Sequence, residues 1–212
     1  MNESSKTDKK ILVELYLASL GGAARNPFNL SDRLGIDKDD MKDRLNSLRS
    51  RGLVNFSKKY GYFLTHKGRE GITVVMAGGA FDIIHPGHLE TLEKSKALGD
   101  VLVVSVARDV TFKKNKHKTP LHNEELRRKL VLAMKPVDDA VLGSKTDIFQ
   151  TVQLLKPNII ALGYDQAHSD AEITEEARKR GIQVKVVRLD SSMPSIKTAK
   201  IIEKGKGSLR EI

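Results

Sequence analysis

The chain has 212 residues, a formal net charge of +10 and a pI near 9.7. That length can bury one large core or two small ones, and that charge favours anionic partners such as nucleotides, phosphates or nucleic acid. The absence of cysteine excludes disulfides, thiolate metal sites and a cysteine nucleophile. No apolar run is long enough to span a bilayer, and the opening MNESSKTDKK lacks the apolar core of a signal peptide. The expectation is a cytoplasmic protein without a membrane partner. The absence of tryptophan and the few aromatics argue against base stacking as the main binding device.

The first seventy residues read as helix, helix, helix, hairpin. KKILVELYLASLGG places Ile11, Leu12, Leu15, Leu17 and Leu20 at mixed helical spacing and closes on Gly21 and Gly22. NLSDRLGI reads as a short helix. In DKDDMKDRLNSLRSRGL, Met41, Leu45 and Leu48 form an amphipathic stripe that Gly52 ends. LVNFSKKYGYFLT alternates about a Lys-Lys-Tyr-Gly turn, as a hairpin does. This order resembles a winged helix-turn-helix domain, with the stretch Asp39–Arg51 as recognition helix and Lys58 and Lys59 in the wing. Arg44, Arg49 and Arg51 are then candidate phosphate contacts. Asp37, Asp39, Asp40 and Asp43 on the same helix oppose that role, so DNA contact stays open beside a dimerising or supporting one.

From residue 71 onward the pattern changes. ITVVMAG is a short β-branched run; GHLETLEKSKALGD is helical, with Leu89, Leu92 and Leu98 on one face. VLVVSVA reads as a strand buried on both faces, and NEELRRKLVLAMK as a helix. DAVLG and NIIALG are short strands around the helical DIFQTVQLL. SDAEITEEARKRG is a capped helix, followed by the strand VKVVRL and a helix in SIKTAKIIEK. Apolar strands alternating with helices predict an α/β fold: a Rossmann-like, doubly wound parallel sheet over residues 71–212, preceded by a small winged-helix domain over 1–70. Ligands of such sheets bind beyond the carboxyl ends of the strands.

The string GGAFDIIHPGH, residues 78–88, joins the first strand of that sheet to its first helix. Gly78 and Gly79 permit close backbone approach to a ligand. Pro86 and Gly87 suit the turn into a helix, and His88 falls in its first turn. The amide groups and positive dipole end there favour an anion. Two imidazoles around that turn can donate to phosphate oxygens. On spacing alone His85 and His88 could equally be helix-start residues bonded to nearby backbone. A zinc pair would need further ligands of suitable spacing, and the sequence offers few.

Gly79-Ala80-Phe81-Asp82 followed by His85-Pro86-Gly87-His88 resembles the HxGH signature of the nucleotidylyltransferase superfamily, usually G-[TS]-F-D-x-x-H-x-G-H. Ala80 stands where a hydroxyl residue is usual. ARDVTFKKNKHK is similar to the segment in the cytidylyltransferase-like branch whose lysine reaches the triphosphate; Lys113, Lys114, Lys116 and Lys118 are candidates, with Lys114 favoured among them, and a solvated basic loop stays open for each. NEELRRKL resembles the branch's E-x-R helix and turns Arg127 toward substrate. ALGYDQ places Asp165 where the family holds ribose or base. SIKTAKII resembles an ISTTKI segment near the phosphates, retaining Thr198 but with Lys197 and Ala199 in place of hydroxyl residues. AFDIIHPGH, ARD, EELRR, MKPVD, VLGS and LKPNIIALGYDQ together are most similar to the archaeal FAD synthase type, over about residues 72–190.

That resemblance implies transfer of AMP from ATP to FMN, with His85, His88, Lys114 and Arg127 serving the reaction. Gly79, Ala80, Phe81, Pro86, Gly87, Asp165 and Thr198 join the histidines around the nucleotide, and Mg2+ or another divalent cation is carried by ATP. Two alternatives stay open: a CTP-dependent cytidylyltransferase acting on glycerol 3-phosphate or a related alcohol phosphate, and a DNA-binding regulator that senses a nucleotide or flavin. A homodimer is open as well.

Overall fold

The computed structural model describes residues 3–21, 29–166, 169–196, 198 and 200–203. The chain forms two compact units, Met1–Thr73 and Val74–Ile212.

In the first unit, α1 (Glu3–Ser19), α2 (Leu30–Leu34) and α3 (Lys38–Ser50) precede a hairpin of β1 (Val54–Ser57) and β2 (Gly61–Leu64). Gly35 ends α2 in the left-handed conformation, φ 62°. Asp37 then starts α3 by accepting from the Asp39 and Asp40 amides. Ile11, Leu15, Met41, Leu45, Leu48 and Val54 fill the core. The hairpin is antiparallel, in register from Val54 opposite Leu64 to Ser57 opposite Gly61. One element was not foreseen. His66–Glu70 is a short helix, α4, because the Thr65 hydroxyl accepts from the Gly68 amide. Arg44 and Arg51 do not project freely from α3. Arg44 pairs with Asp8 at 3.3 Å and Asp40 at 3.0 Å, and Arg51 with Asp8 at 2.7 Å.

In the second unit, five strands form one parallel sheet: β3 (Val74–Gly79), β4 (Val101–Val106), β5 (Asp139–Leu142), β6 (Ile159–Leu162) and β7 (Lys185–Arg188). Their spatial order is β5-β4-β3-β6-β7. Every residue of β4 is buried, which explains its unbroken apolar run. The connections are α5 (Pro86–Lys96), then α6 (Asp109–Lys116) with α7 (Glu124–Leu132), then α8 (Ile148–Leu155) and α9 (Asp170–Lys179). Val75, Ala77, Leu92, Leu102, Val104, Val131 and Ala161 form the shared core. This is the expected Rossmann-like α/β sheet. The chain leaves β3 toward β4 on one side and later returns to β6 on the other. The reversal of strand order therefore falls between β3 and β6, and ligands of such sheets bind beyond the carboxyl ends of the strands at that point.

Candidate active site

The loop leaving β3 turns under its own strand. Phe81 adopts φ 51°, a left-handed backbone rare for a bulky residue. Its ring is buried and lies so close to Gly79 that a Cβ there would sit 2.8 Å from Cε2. That contact is the physical reason for glycine at 79. The same ring tilts against His88, centroids 5.2 Å apart. Asp82 holds the far side of the loop: its buried carboxylate accepts from the Leu121 amide at 2.7 Å and the His122 amide at 3.3 Å.

His85 is the residue before α5 and makes no side-chain cap, and Pro86 fixes the first helical position. The His88 and Leu89 amides close the first turn onto the His85 carbonyl. Spacing of three residues puts both imidazoles on one helix face, where they stack with centroids 3.9 Å apart and planes 27° apart. Gly87 between them leaves little room for a side chain. A Cβ there would come within 3.2 Å of the His85 ring and 3.5 Å of the Ile196 carbonyl.

Each imidazole buries an Nδ1 that has no hydrogen-bond partner among the described residues. Burial pushes His88 down to about 4, with the neighbouring His85 adding to the effect and Asp165 opposing it. His85 is also lowered, chiefly by burial and again against Asp165. Both rings are therefore neutral at neutral pH. A buried nitrogen without a partner is costly in a finished core and suits a site that acquires its partner from a ligand.

Arg127 lies deeper than its expected role implies. Expected to face substrate, it is 0% exposed on α7 and shares the buried stripe with Val131. Its Nε donates to the His122 carbonyl at 3.0 Å, Nη1 to the Ala80 carbonyl, and Nη2 to the Ala107 carbonyl at 2.7 Å and Asp109 Oδ1 at 2.8 Å. These bonds cross-link three loops, so Arg127 braces the loops around the histidine turn. Beside it, Glu124 accepts from the Asp109 amide at 2.7 Å and from Arg108 at 2.8 Å. The Asp109 amide and then Arg108 hold Glu124 below the usual carboxylate range, against desolvation. Arg108 also donates to the Gly143 carbonyl at 2.9 Å, tying in the loop after β5. Arg108, His122 and Glu124 were not singled out from the sequence, and Asp82 entered only as part of the signature. For Arg127 a signal existed, its i, i+4 spacing from Val131.

The structure gathers Gly79, Ala80, Phe81, His85, Pro86, Gly87 and His88 around this turn. Asp165 is exposed in the loop after β6, within electrostatic reach of both histidines. Gln166 in that loop donates to the Gly78 carbonyl at 2.6 Å. Thr198 donates to the Ile83 carbonyl at 3.5 Å, which sets it against the histidine loop. Lys197 and Ala199 lie outside the described residues. Lys113 and Lys114 are exposed on α6, with no described contact to the histidine pair; the side chain of Lys116 lies outside the description. Among the described residues no three His, Asp or Glu side chains converge as a metal cage.

Residues 76–204 match the family model described as Cytidylyltransferase-like. The FAD synthase of Aciduliprofundum boonei is 58% identical over 115 residues, 54% of this chain and 76% of that protein. The FAD synthase of Ferroglobus placidus is 52% identical over 135 residues, 61% of this chain and 86% of that one. Among solved structures, the lipopolysaccharide core biosynthesis protein of Thermoplasma volcanium is 48% identical, with a TM-score of 0.55 over 57% of this chain and 98% of that one. The chain belongs to the cytidylyltransferase-like family. Within it, the two curated relatives named here are archaeal FAD synthases.

Proposed function

We propose that the chain is an FAD synthase, a nucleotidyltransferase that moves AMP from ATP to FMN. The observation that carries this reading is the stacked, neutral His85–His88 pair at the switch point of the sheet, each ring with a buried nitrogen unpartnered among the described residues, in a chain 58% identical over 115 residues to an FAD synthase. A phosphate oxygen of FMN attacks the α-phosphorus of ATP. The bond from that phosphorus to the oxygen bridging to the β-phosphorus breaks, and pyrophosphate leaves with the electron pair. The attacking phosphate is already anionic, so no base is needed. The protein's task is alignment and charge stabilisation. His85 and His88 donate to the triphosphate as charge moves onto the leaving group, and the α5 dipole adds to them. Lys114 reaches the phosphates from α6. Asp165 and Thr198 border the nucleotide. Ala80 contributes its backbone, its methyl being unable to donate.

A divalent cation such as Mg2+ would enter with the triphosphate and neutralise its oxygens. The alternative CTP-dependent reaction on glycerol 3-phosphate uses the same residues. A panel of ATP or CTP with FMN or glycerol 3-phosphate, read by pyrophosphate release, separates the two. Release only with ATP and FMN is expected, and release only with CTP and an alcohol phosphate overturns the reading.

The division at residues 70–74 separates a transferase domain from a domain we read as a winged helix, on the order helix, helix, helix, hairpin. Its candidate DNA contacts are Arg49 on α3 and Lys58 and Lys59 at the hairpin tip, all exposed. Arg44 and Arg51 are shared with Asp8, which leaves Arg49 as the arginine without that competing pair. A regulator without turnover is disfavoured by the intact histidine pair. No described helix is long and apolar enough to cross a membrane. A homodimer remains part of the proposal.

A further inference from the structure

Arg188 is the last residue of β7 and pairs in register with Leu162, the last residue of β6. Its side chain reaches forward over the loop that follows β6. Nη1 donates to the Gly163 carbonyl at 3.0 Å and to the Gln166 carbonyl at 3.1 Å, the two ends of the segment that contains Asp165. The other edge of the guanidinium is fixed by Asp170 at the start of α9, with Nε 2.9 Å from Oδ1. The loop has two more ties. Gln166 donates to the Gly78 carbonyl at 2.6 Å, and the Tyr164 hydroxyl to the Pro194 carbonyl at 2.8 Å. A four-residue loop beyond the carboxyl end of β6 is thus held from β7, from β3 and from the segment after β7.

We propose that Arg188 is a positioning residue for the nucleotide: by clamping the Gly163 and Gln166 carbonyls to the end of β7 it presets the Tyr164–Asp165 turn against which ATP binds. The proposal rests on the transferase reading above. Arginine is needed because one planar fork must serve a carboxylate on one edge and two carbonyls on the other. A lysine ammonium at the same place cannot span both. The clamp lies on the β6 side of the switch point, whereas the Arg127 brace joins loops on the β3–β4 side, so the two arginines act on different sides of it. Loosening the β6 loop costs nucleotide binding before it costs the chemical step.

The test is steady-state kinetics of Arg188→Ala and Arg188→Lys by pyrophosphate release, with each substrate varied in turn, alongside thermal unfolding of each variant. Arg188→Ala is expected to raise KM for ATP roughly tenfold, with kcat and KM for FMN within about twofold. Arg188→Lys is expected to recover only part of the loss. Calorimetric titration of a non-hydrolysable ATP analogue should show the same ratio. If the wild type releases no pyrophosphate from ATP and FMN, the transferase reading fails. If the wild type is active and Arg188→Ala leaves KM for ATP unchanged, or lowers all parameters together with the melting temperature, the positioning role is overturned.

Discussion

Two helix starts in this molecule solve the same problem in opposite ways. In the first unit, α3 begins behind Asp37, whose carboxylate accepts from the Asp39 amide at 2.8 Å and the Asp40 amide at 3.4 Å. Further acids stand in the first turn, and the positive end of the helix is satisfied internally. In the second unit, α5 begins behind His85, which provides no cap, and two neutral imidazoles occupy the face where an anion would sit. A helix start saturated by its own carboxylates is built for stability and repels a phosphate. One left to histidines is built to receive one.

An open start must be stabilised from elsewhere, and here Arg127 does so by holding the Ala80 carbonyl beside the left-handed Phe81. The largest effect is therefore expected from Arg127→Met. Removing the charge leaves Asp109 and three carbonyls without their donor, at a cost of about 3–5 kcal/mol. Urea denaturation measures this. Stability within about 1 kcal/mol of wild type, with activity alone abolished, would assign Arg127 to the substrate instead.

His88→Ala addresses the open start directly. Loss of a preorganised donor to the transition state is expected to lower turnover about a hundredfold or more, while the fold survives because Nδ1 of His88 has no described partner to lose. Wild-type pyrophosphate release from this variant contradicts the assignment. The acid dependence carries the same information. His88 titrates near 4 in the fold and near 6.5 when unfolded, so the unfolded chain binds the proton first. Its contribution to stability is full above pH 6.5 and is lost as pH falls toward 4, and His88→Ala should flatten that slope. ATP reverses the electrostatics: triphosphate charge raises the His88 value, which an imidazole NMR titration with and without ATP would detect.

The comparison sharpens if α5 is given the kind of start that α3 has. His85→Ser supplies a capping hydroxyl and should stabilise the second unit by about 0.5–2 kcal/mol while lowering turnover by a factor of ten or more. A stabilised variant with undiminished turnover would show that His85 is a helix-start residue only.

The sequence exposed the periodic and chemically pointed parts of this design. The run VLVVSVA is apolar at nearly every position because β4 is buried throughout, and GGAFDIIHPGH names its own turn. What stayed hidden depends on tertiary neighbours. Nothing local tells that β6 returns beside β3, or that Arg127 spends its donors on backbone carbonyls, although its alignment with Val131 hinted at burial. HKGRE carries no apolar stripe, so α4 depended on the Thr65 cap. The pairing of Arg44 and Arg51 with Asp8 spans some forty positions of chain, beyond any periodic pattern, and only the folded first unit brings them together.

The smallest effect is expected at the closed start. Asp37→Ala removes the acceptor for the Asp39 and Asp40 amides and a negative charge from the dipole's positive end, at a cost of about 1 kcal/mol. Asp37→Asn, which keeps an acceptor, should cost less. The loss belongs to the first unit, whose core of Ile11, Leu15, Leu45 and Leu48 is its own, so pyrophosphate release should remain at the wild-type rate. Chemical denaturation followed by hydrogen exchange at the α3 amides, run beside the pyrophosphate assay, measures both. Faster exchange with unchanged turnover supports a cap that serves stability alone. A fall in turnover from either variant would mean that the first unit takes part in the reaction, and the contrast between a structural helix start and a functional one would no longer divide along the two units.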